Sequence, residues 1–217
     1  MPERPLIHWL RARRAAQEVA FLAVPDLPDA ASGIPQPPMC DWAWRPAPWA
    51  APMASGQLSN VTDGTRITSG VRLFHDCSQS QVDLRQSDSA PHAVTVAIRD
   101  FGGSFLSLAI DLPQTAARNM RRAHILRVTL RSPASGAARV YARLNIRNGP
   151  NIEKLTEAME PDADHDDTLH AEFDLGFHDL HPSRMEAAWL DLMFAPPEHY
   201  DLRLEDLTLA RRPRAEI

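Results

Sequence analysis

The feature that most constrains the fold of this chain is a stretch from Glu186 to Arg211 in which apolar residues recur at every second position. In its first half the apolar set is Leu190, Leu192 and Phe194, and the intervening set is Trp189, Asp191 and Met193. A side-chain period of two is that of a β-strand with one face in a core. The stretch therefore predicts a strand that packs one face on a hydrophobic interior.

A second apolar series follows Pro196-Pro197, which we expect to form a turn between two strands that close a β-sandwich. The apolar positions of this series are first Leu202 and Leu204, and then Leu207 and Leu209. A strand cannot shift its side-chain alternation by one residue without exchanging its faces. The shift therefore predicts a β-bulge at Glu205-Asp206.

Six earlier segments show the same alternation and predict further strands. They are Gly70–Cys77, Val94–Ile98, Leu106–Leu112, Leu126–Leu130, Val140–Ile146 and Leu169–Leu175. Gly102-Gly103 is typical of a hairpin turn, whereas Gln114–Arg122 and Ile152–Met159 are expected to form short helical turns. About eight short strands separated by turns predict an all-β fold, an antiparallel jelly-roll-type β-sandwich.

The N-terminal third differs in composition from the rest of the chain. Residues 5–22 contain no internal proline or glycine and predict a helix, whose apolar residues are Leu6, Ile7, Trp9 and Leu10. Eight prolines between residues 25 and 60 predict an extended arm that is neither a helix nor a strand within a sheet. We therefore expect an N-terminal helix at 1–24, a Pro/Trp-rich arm at 25–68 and a sandwich at 69–217.

Three tryptophans of this arm, Trp42, Trp44 and Trp49, are costly to leave in water. Two interpretations stay open from the sequence. The rings either dock on the sandwich as a structural clasp or offer an aromatic surface to a ligand or partner.

Charge and apolar patterning exclude some classes of partner. The net charge of −5 and the pI near 6.0 do not favour nucleic-acid binding. The longest apolar run near the start, 19–25, is too short for a transmembrane segment and lacks the flank of a secretory signal. We expect a cytoplasmic protein in which Cys40 and Cys77 are thiols.

An acidic loop is the candidate metal site, because Asp162, Asp164 and Asp166 place carboxylates at alternate positions as a Ca²⁺ loop does. The EF-hand pattern then fails, since Asp167 replaces its turn glycine and Phe173 its bidentate glutamate. The sequence favours a solvated loop and no cofactor, with structural Ca²⁺ as the alternative. The histidines show no zinc-binding spacing.

His75 and Cys77 are the candidate pair for nucleophilic catalysis, because alternate residues of a strand share a side. A buried thiol is the commoner explanation of such a cysteine, and no Gly-x-Ser-x-Gly motif is present. The sequence therefore favours a protein that is not an enzyme.

Polar and aromatic residues alternate with the apolar positions on three predicted strands, and we expect them to face solvent on the outside of one sheet. They are Arg139, Tyr141, Arg143 and Asn145 on one strand, Trp189 and Asp191 on another, and Arg127 and Arg131 on a third. Such groups could bind a sugar or a peptide, or could simply cover the sheet with cross-strand pairs.

The C-terminal sequence resembles the last strands of galactose-binding-like and carbohydrate-binding-module-like jelly rolls, over about residues 69–212. The resemblance lies in Trp189–Phe194 and in Tyr200–Arg212, which follow an apolar-x-apolar-x-Asp-apolar-x-apolar form. With the segment Trp42–Pro46 of the Pro/Trp-rich arm included, the whole chain resembles a family of alphaproteobacterial proteins of unknown function. The first resemblance implies architecture, and sugar binding only by analogy.

Three functions follow as hypotheses. The first is a non-catalytic module that binds a saccharide or a glycan-bearing partner through Tyr141, Arg139, Arg143, Asn145, Trp189 and Asp191. The second is an adaptor that docks to a protein or a membrane surface through its N-terminal helix, and the third is a hydrolase that uses His75 and Cys77.

Overall fold

A computed structural model describes residues 34, 36–77, 81–89, 91–133, 139–195 and 200–214. The helix predicted at 1–24 and the turn predicted at Pro196-Pro197 lie outside the described residues. No helix among the described residues is long and apolar enough to cross a membrane.

The described chain is mostly β-structure. Its strands are β1 (Trp42–Trp44), β2 (Gln57–Leu58), β3 (Thr65–Thr68), β4 (Val71–His75), β5 (Gln81–Gln86), β6 (Val94–Arg99), β7 (Leu106–Asp111), β8 (His124–Arg131), β9 (Val140–Asn148), β10 (Asn151–Ala158), β11 (Glu160–Pro161), β12 (Thr168–Asp174), β13 (Met185–Phe194), β14 (Tyr200–Leu204) and β15 (Asp206–Pro213). The helices are α1 (Ala47–Ala50) and α2 (Gln114–Asn119), with 3₁₀ turns at Leu175–Phe177 and Pro182–Arg184.

These strands form three antiparallel sheets. A six-stranded sheet has the order β10-β9-β13-β7-β4-β3, a five-stranded sheet β1-β15-β8-β12-β11, and a four-stranded sheet β14-β6-β5-β2. The predicted apolar positions, such as Val128, Leu144, Leu190 and Leu207, are buried in one hydrophobic core to which all three sheets contribute. The predicted all-β antiparallel sandwich is thereby confirmed.

The predicted bulge at Glu205-Asp206 is wrong, because β14 and β15 belong to different sheets. β14 pairs with β6, whereas β15 pairs with β8. Glu205 lies between β14 and β15, and its N–H donates to the carbonyl of Arg131 at 2.8 Å. A chain that crosses from one sheet to another can change its buried face freely. The phase shift in the sequence therefore marks the crossing between sheets.

Two local predictions are wrong because strand pairing differs from what the local sequence indicated. Gly102-Gly103 does not close a hairpin, since β6 and β7 lie in different sheets. Ile152–Met159 is not helical, because it lies mainly in β10, which pairs along its length with β9 after a turn at Gly149-Pro150. Cross-strand pairing with β9 overrides a weak helical propensity there. The helix predicted at Gln114–Arg122 is confirmed as α2.

The Pro/Trp-rich arm is more regular than predicted. Trp42–Trp44 pairs with β15 as an edge strand, and Ala47–Ala50 forms a helical turn, so the prediction of neither helix nor strand is wrong. An edge strand needs donors and acceptors on one side only, and the prolines lie outside Trp42–Trp44. The division of the chain at 24/25 and 68/69 stays a prediction.

The tryptophans of the arm act as a structural clasp. Trp44 and Trp49 are buried in the core, and Trp42 packs against it. The indole Nε1–H of Trp49 donates to the carbonyl of Leu204 at 3.1 Å. The interpretation that docks these rings on the sandwich is the one that the structure supports.

Candidate functional site

Four of the predicted site residues lie together on the six-stranded sheet. Asn145 on β9 is directly opposite Trp189 on β13, and Arg143 is opposite Asp191. Tyr141 lies further along the same face, opposite Met193, and Arg139 is exposed just before β9. The sequence therefore placed these side chains correctly on one face of one sheet, away from the hydrophobic core.

The expectation that this face looks out to solvent is wrong for most of these residues. Asp191 is 0% exposed, Asn145 1%, Trp189 3% and Arg143 7%, whereas Tyr141 is 38% exposed. Asn145 Nδ2 donates to Asp191 Oδ2 at 3.0 Å, and Arg143 Nε donates to Thr156 Oγ1 at 3.0 Å. Burial lowers the pKa of the Arg143 guanidinium from its ordinary value. Asn145 and Asp191 thus form a buried hydrogen-bonded pair, as buried polar atoms require, and Arg143 reaches from the same face to Thr156 on β10.

Arg127 and Arg131 do not share this face. Both lie on β8, in the middle of the five-stranded sheet, whereas β9 and β13 belong to the six-stranded sheet. The interpretation that put three strands on one binding face is therefore wrong. Alternation assigns a residue to a face of its own strand, but it does not say which strands are neighbours.

The outer face of the five-stranded sheet carries an open groove of about 640 Å³. Its floor consists of side chains from β8, β15 and the start of β12, namely Arg127, Thr129, Arg131, Asp206, Thr208 and Thr168. One side is formed by Gln36, Pro37 and Pro38 of the Pro/Trp-rich arm, which we also call the belt. The other is formed by Asp162, Asp164, His165 and Asp167 of the acidic loop. We call this surface the β8–β15 groove. It joins the belt, the acidic loop and the two arginines, which the sequence had pointed to separately.

Ion pairs hold the charged side chains of the β8–β15 groove in place. Arg127 Nη2 lies 2.9 Å from Asp162 Oδ2, and Arg131 Nε lies 3.1 Å from Glu205 Oε2. Asp206 accepts two hydrogen bonds from Arg45, at 2.8 and 2.9 Å. Because each guanidinium is oriented by a carboxylate, the groove presents preorganised donors and acceptors.

Asp162 is the anchor of the acidic loop. Its Oδ1 accepts the backbone N–H of Asp164 at 3.1 Å and lies 3.2 Å from His165 Nδ1. These two hydrogen bonds, followed by the charge of Arg127, hold the pKa of Asp162 below its ordinary value of 3.8, although burial opposes them. The carboxylate is therefore ionised at neutral pH and fixes the loop at the edge of the groove.

The candidate calcium ligands do not converge as a group. Asp162 is turned toward Arg127 and His165, and the side chains of Asp164 and Asp166 belong to exposed residues. Within the described ranges, no group of three or more His, Cys, Asp or Glu side chains is arranged to hold a metal ion. A solvated loop without a cofactor stays the prediction from the sequence, with structural Ca²⁺ as its alternative.

His75 and Cys77 make structural contacts with the backbone. His75 Nε2 lies 2.9 Å from the carbonyl of Val61, and Nδ1 accepts the N–H of Cys77 at 3.3 Å. Cys77 Sγ in turn accepts the N–H of Gly102 at 3.3 Å. Since both ring nitrogens are engaged by backbone groups, the imidazole in this arrangement has no nitrogen left to act as a base on the thiol. Cys40 and Cys77 are both thiols, as expected.

A family model for a family of unknown function, DUF6478, matches residues 11–217. The chain belongs to this family. The predicted resemblance to a family of unknown function is thus confirmed, and no curated protein matches the sequence.

Solved structures with a similar course of the chain include carbohydrate-binding modules. A family 11 carbohydrate-binding module of a Clostridium thermocellum cellulosomal cellulase is 11% identical with a TM-score of 0.44, covering 75% of this chain and 99% of that one. The CBM22-1 xylan-binding domain of Paenibacillus barcinonensis is 11% identical with a TM-score of 0.39, covering 73% and 95%. A tailspike protein of bacteriophage CBA120 is 7% identical with a TM-score of 0.43, covering 70% and 21%.

Several groove residues of this DUF6478 protein were not singled out by the sequence. Thr129 and Thr208 lie opposite each other in the β8–β15 pair, and each occupies an outward position of an alternating strand. The sequence showed that each threonine alternates with apolar residues. It did not show that the two are paired, because β8 and β15 are far apart in the sequence. From the sequence, Pro37 and Pro38 were recognised only as part of the extended, proline-rich arm.

Proposed function

We propose that this DUF6478 protein is a non-catalytic binding protein that holds a neutral, hydroxyl-rich ligand, of the saccharide class, in the β8–β15 groove. The observation that carries the proposal is the groove itself. It is open, it has a volume of about 640 Å³, and its floor alternates hydroxyl, guanidinium and carboxylate groups. A volume of this size suits a small ligand of a few rings.

The charges of the groove support a neutral ligand. Two arginines and four aspartates line it, and Arg127 and Arg131 are already paired with carboxylates. An anionic ligand would be repelled by the excess of carboxylates, and a cation would compete with two fixed guanidinium groups. A polar ligand without charge avoids both costs.

The hydrogen-bonding groups support a polyol. Each hydroxyl of a sugar donates one hydrogen bond and accepts others, so it is best bound where donors and acceptors lie side by side. Thr129 and Thr208 supply hydroxyls that act in both senses, and Arg131 and Asp206 supply a donor and an acceptor. The hydroxyl of Thr168 donates to Asp167 Oδ1 at 3.1 Å and is left to accept. The rings of Pro37 and Pro38 add apolar surface at the edge of the groove.

The state of Asp162 argues against a role as the general acid of a bond cleavage. A general acid for bond cleavage needs a carboxyl group that is protonated near neutral pH. The hydrogen bonds from Asp164 and His165 instead lower the pKa of Asp162. An ionised carboxylate at this edge accepts hydrogen bonds, which suits recognition.

A glycan array followed by calorimetric titration tests the proposal. We expect the full chain to bind neutral oligosaccharides and to discriminate against sulfated ones. Arg131→Gln and Thr129→Val should each weaken binding of the best neutral glycan about fivefold, the effect of one hydrogen bond of about 1 kcal/mol. Arg99→Gln is the matched control, because Arg99 is an exposed arginine of the four-stranded sheet, paired with Asp201.

Two outcomes would contradict the proposed site. If Arg131→Gln and Arg99→Gln bound the glycan equally well, the groove would not be the binding surface. If Tyr141→Ala abolished binding while the groove variants kept it, the ligand would lie on the six-stranded sheet, as the sequence had suggested.

A further inference from the structure

One end of the sandwich carries an exposed aromatic ring. Phe177, the last residue of the 3₁₀ turn Leu175–Phe177, is 76% exposed, although Leu175 in the same turn is buried. A large apolar ring is costly to leave in water. The turn itself is ordered, because the side chain of Asp174 accepts the N–H of Gly176 at 2.9 Å. The ring is therefore held out into solvent by a fixed turn.

Two arginines are fixed against this turn. The guanidinium carbon of Arg214 lies 4.7 Å from the centroid of the Phe177 ring, which is a cation–π contact. Arg122 Nη2 donates to the carbonyl of Gly176 at 3.1 Å. The backbone N–H of Arg214 donates to the carbonyl of Ala123 at 2.7 Å, so the chain at Arg122 and the chain at Arg214 are neighbours. Two guanidinium groups thus flank the exposed ring.

Two further arginines come from the end of α2, just before Arg122 in the sequence. Arg118 lies in the last turn of α2 and Arg121 directly beyond it, and both are exposed. Arg121 Nη1 donates to the carbonyls of Arg118 and Met120 at 2.9 and 2.8 Å, which keeps its side chain beside the helix end. We use the name Phe177 patch for Phe177, Arg118, Arg121, Arg122 and Arg214.

The Phe177 patch is positively charged, although the chain as a whole has a net charge of −5. The carboxylate of Asp174 lies 2.9 Å from Arg214 and offsets its charge. Among the residues that the structure describes, the other three arginines of the patch form no ion pair with a carboxylate. Asp179, two residues beyond Phe177, offsets one of these three charges. The patch therefore combines an excess of positive charge with a projecting apolar ring.

We propose that the Phe177 patch is the surface through which this protein binds an anionic lipid membrane. Guanidinium groups donate paired hydrogen bonds to phosphate and carboxylate oxygens, which the headgroups of anionic lipids supply. An aromatic ring that projects among arginines enters the boundary between headgroups and acyl chains, where apolar and basic side chains are both accommodated. A membrane yields to a projecting ring, whereas a folded protein partner needs a pocket of matched shape. The exposure of Phe177 therefore favours a lipid surface.

The Phe177 patch is separate from the β8–β15 groove. β8 begins at His124, whose Nδ1 accepts the N–H of Arg121, and ends at Arg131, which lines the groove. These two ends are about 24 Å apart along an extended strand. Membrane binding through the patch therefore does not depend on the saccharide ligand proposed for the groove.

Co-sedimentation of the full chain with lipid vesicles tests the proposal. Each arginine near an anionic surface contributes about a fivefold gain in affinity, and a buried phenylalanine ring contributes about tenfold. We expect half of the protein to bind vesicles of phosphatidylcholine with about 30% phosphatidylserine at a lipid concentration between about 0.1 and 1 mM. Vesicles of phosphatidylcholine alone should bind at least tenfold more weakly, and salt should weaken the binding to the anionic vesicles.

Two pairs of variants locate the contact. Phe177→Ser should weaken binding to the anionic vesicles about tenfold. Met39→Ser, at an apolar residue that is 78% exposed elsewhere, is its matched control and should leave binding unchanged. Arg118→Gln/Arg122→Gln should weaken binding about 25-fold. Its control, Arg85→Gln/Arg99→Gln, removes the same charge from exposed positions of the four-stranded sheet and should weaken binding much less.

Circular dichroism verifies that each variant is folded. If Arg118→Gln/Arg122→Gln does not fold, Arg118→Gln alone decides, with an expected weakening of about fivefold. Equal binding of anionic vesicles by folded Phe177→Ser and Met39→Ser would overturn the proposal, as would equal binding of anionic and neutral vesicles by the unmodified chain. Binding to poly-L-glutamate but not to anionic vesicles, lost in Arg118→Gln, would also overturn it and would assign the patch to an acidic protein partner.

Discussion

The side chain of His124 lies where the N-terminal belt meets the last strand. Its Nε2 is 3.9 Å from Asp41 Oδ2, and its Nδ1 accepts the N–H of Arg121 at 3.1 Å. Burial and the positive charge of Arg211 lower the pKa of His124 from its ordinary value of 6.5, although Asp41 opposes them. The fold therefore favours the neutral imidazole.

This arrangement predicts a loss of stability on mild acidification. Below pH 6.5 the unfolded chain binds a proton at His124 that the folded chain does not, so the free energy of unfolding falls as the pH is lowered toward the folded pKa. Below the folded pKa this contribution no longer changes. Urea unfolding between pH 8 and 5 should show a steeper decrease for the unmodified protein than for His124→Gln. Identical slopes would contradict the assignment.

At the scale of elements, the β9–β10 hairpin shows how a turn decides between helix and strand. Asn148 and Asn151 are paired, so Gly149-Pro150 forms the turn, and Gly149 has φ of 63°. That left-handed backbone conformation is open to glycine and strained for a residue with a Cβ. Once the turn reverses the chain, residues 151–158 are placed alongside β9 and pair with it.

Gly149→Ala is expected to destabilise the protein by about 1 kcal/mol, the cost of placing alanine in the left-handed region. The nearest side-chain atom to an added Cβ is Arg184 Cδ at 3.5 Å, so the cost is conformational and not steric. Gly56→Ala is the matched control, since it has open space and no positive φ, and it should change the free energy of unfolding little. Equal effects of the two substitutions in chemical denaturation would refute this explanation.

At the scale of the whole molecule, the belt ties the first described residues to the last strands. Arg211 Nε lies 2.9 Å from Asp41 Oδ1, Arg45 lies 2.8 Å from Asp206, and the Trp49 indole donates to Leu204. These contacts join positions more than 150 residues apart in the sequence. The belt and the sandwich are therefore expected to unfold as one cooperative unit.

Trp49→Ala should lower the free energy of unfolding by about 3–5 kcal/mol, because a large side chain that is 1% exposed leaves a cavity in the core. The unfolding transition should stay single, as judged by tryptophan fluorescence and circular dichroism followed together. Met39→Ala, at a residue 78% exposed in the same belt, should change the free energy by less than about 0.5 kcal/mol. Two separate transitions in Trp49→Ala would show that the belt folds independently of the sandwich.

The sequence by itself determined the class of the fold and the inward face of most strands. Alternation is a local property: successive side chains of a strand point to opposite sides, so Leu190 and Leu192 were assigned to the core without knowledge of their neighbours. The same reasoning placed Asn145 and Asp191 on the outward side of their strands. It could not show that both side chains are excluded from solvent, because burial depends on segments distant in the sequence.

Only the tertiary structure decided which strands are neighbours, and hence where a ligand could bind. β8 and β15 are about 75 residues apart along the chain, on the order of a whole small domain, yet they form the floor of one groove. The acidic loop and the belt reach the same groove from two other parts of the sequence. Strand pairing over such distances is set by the packing of the whole core, which no local pattern encodes.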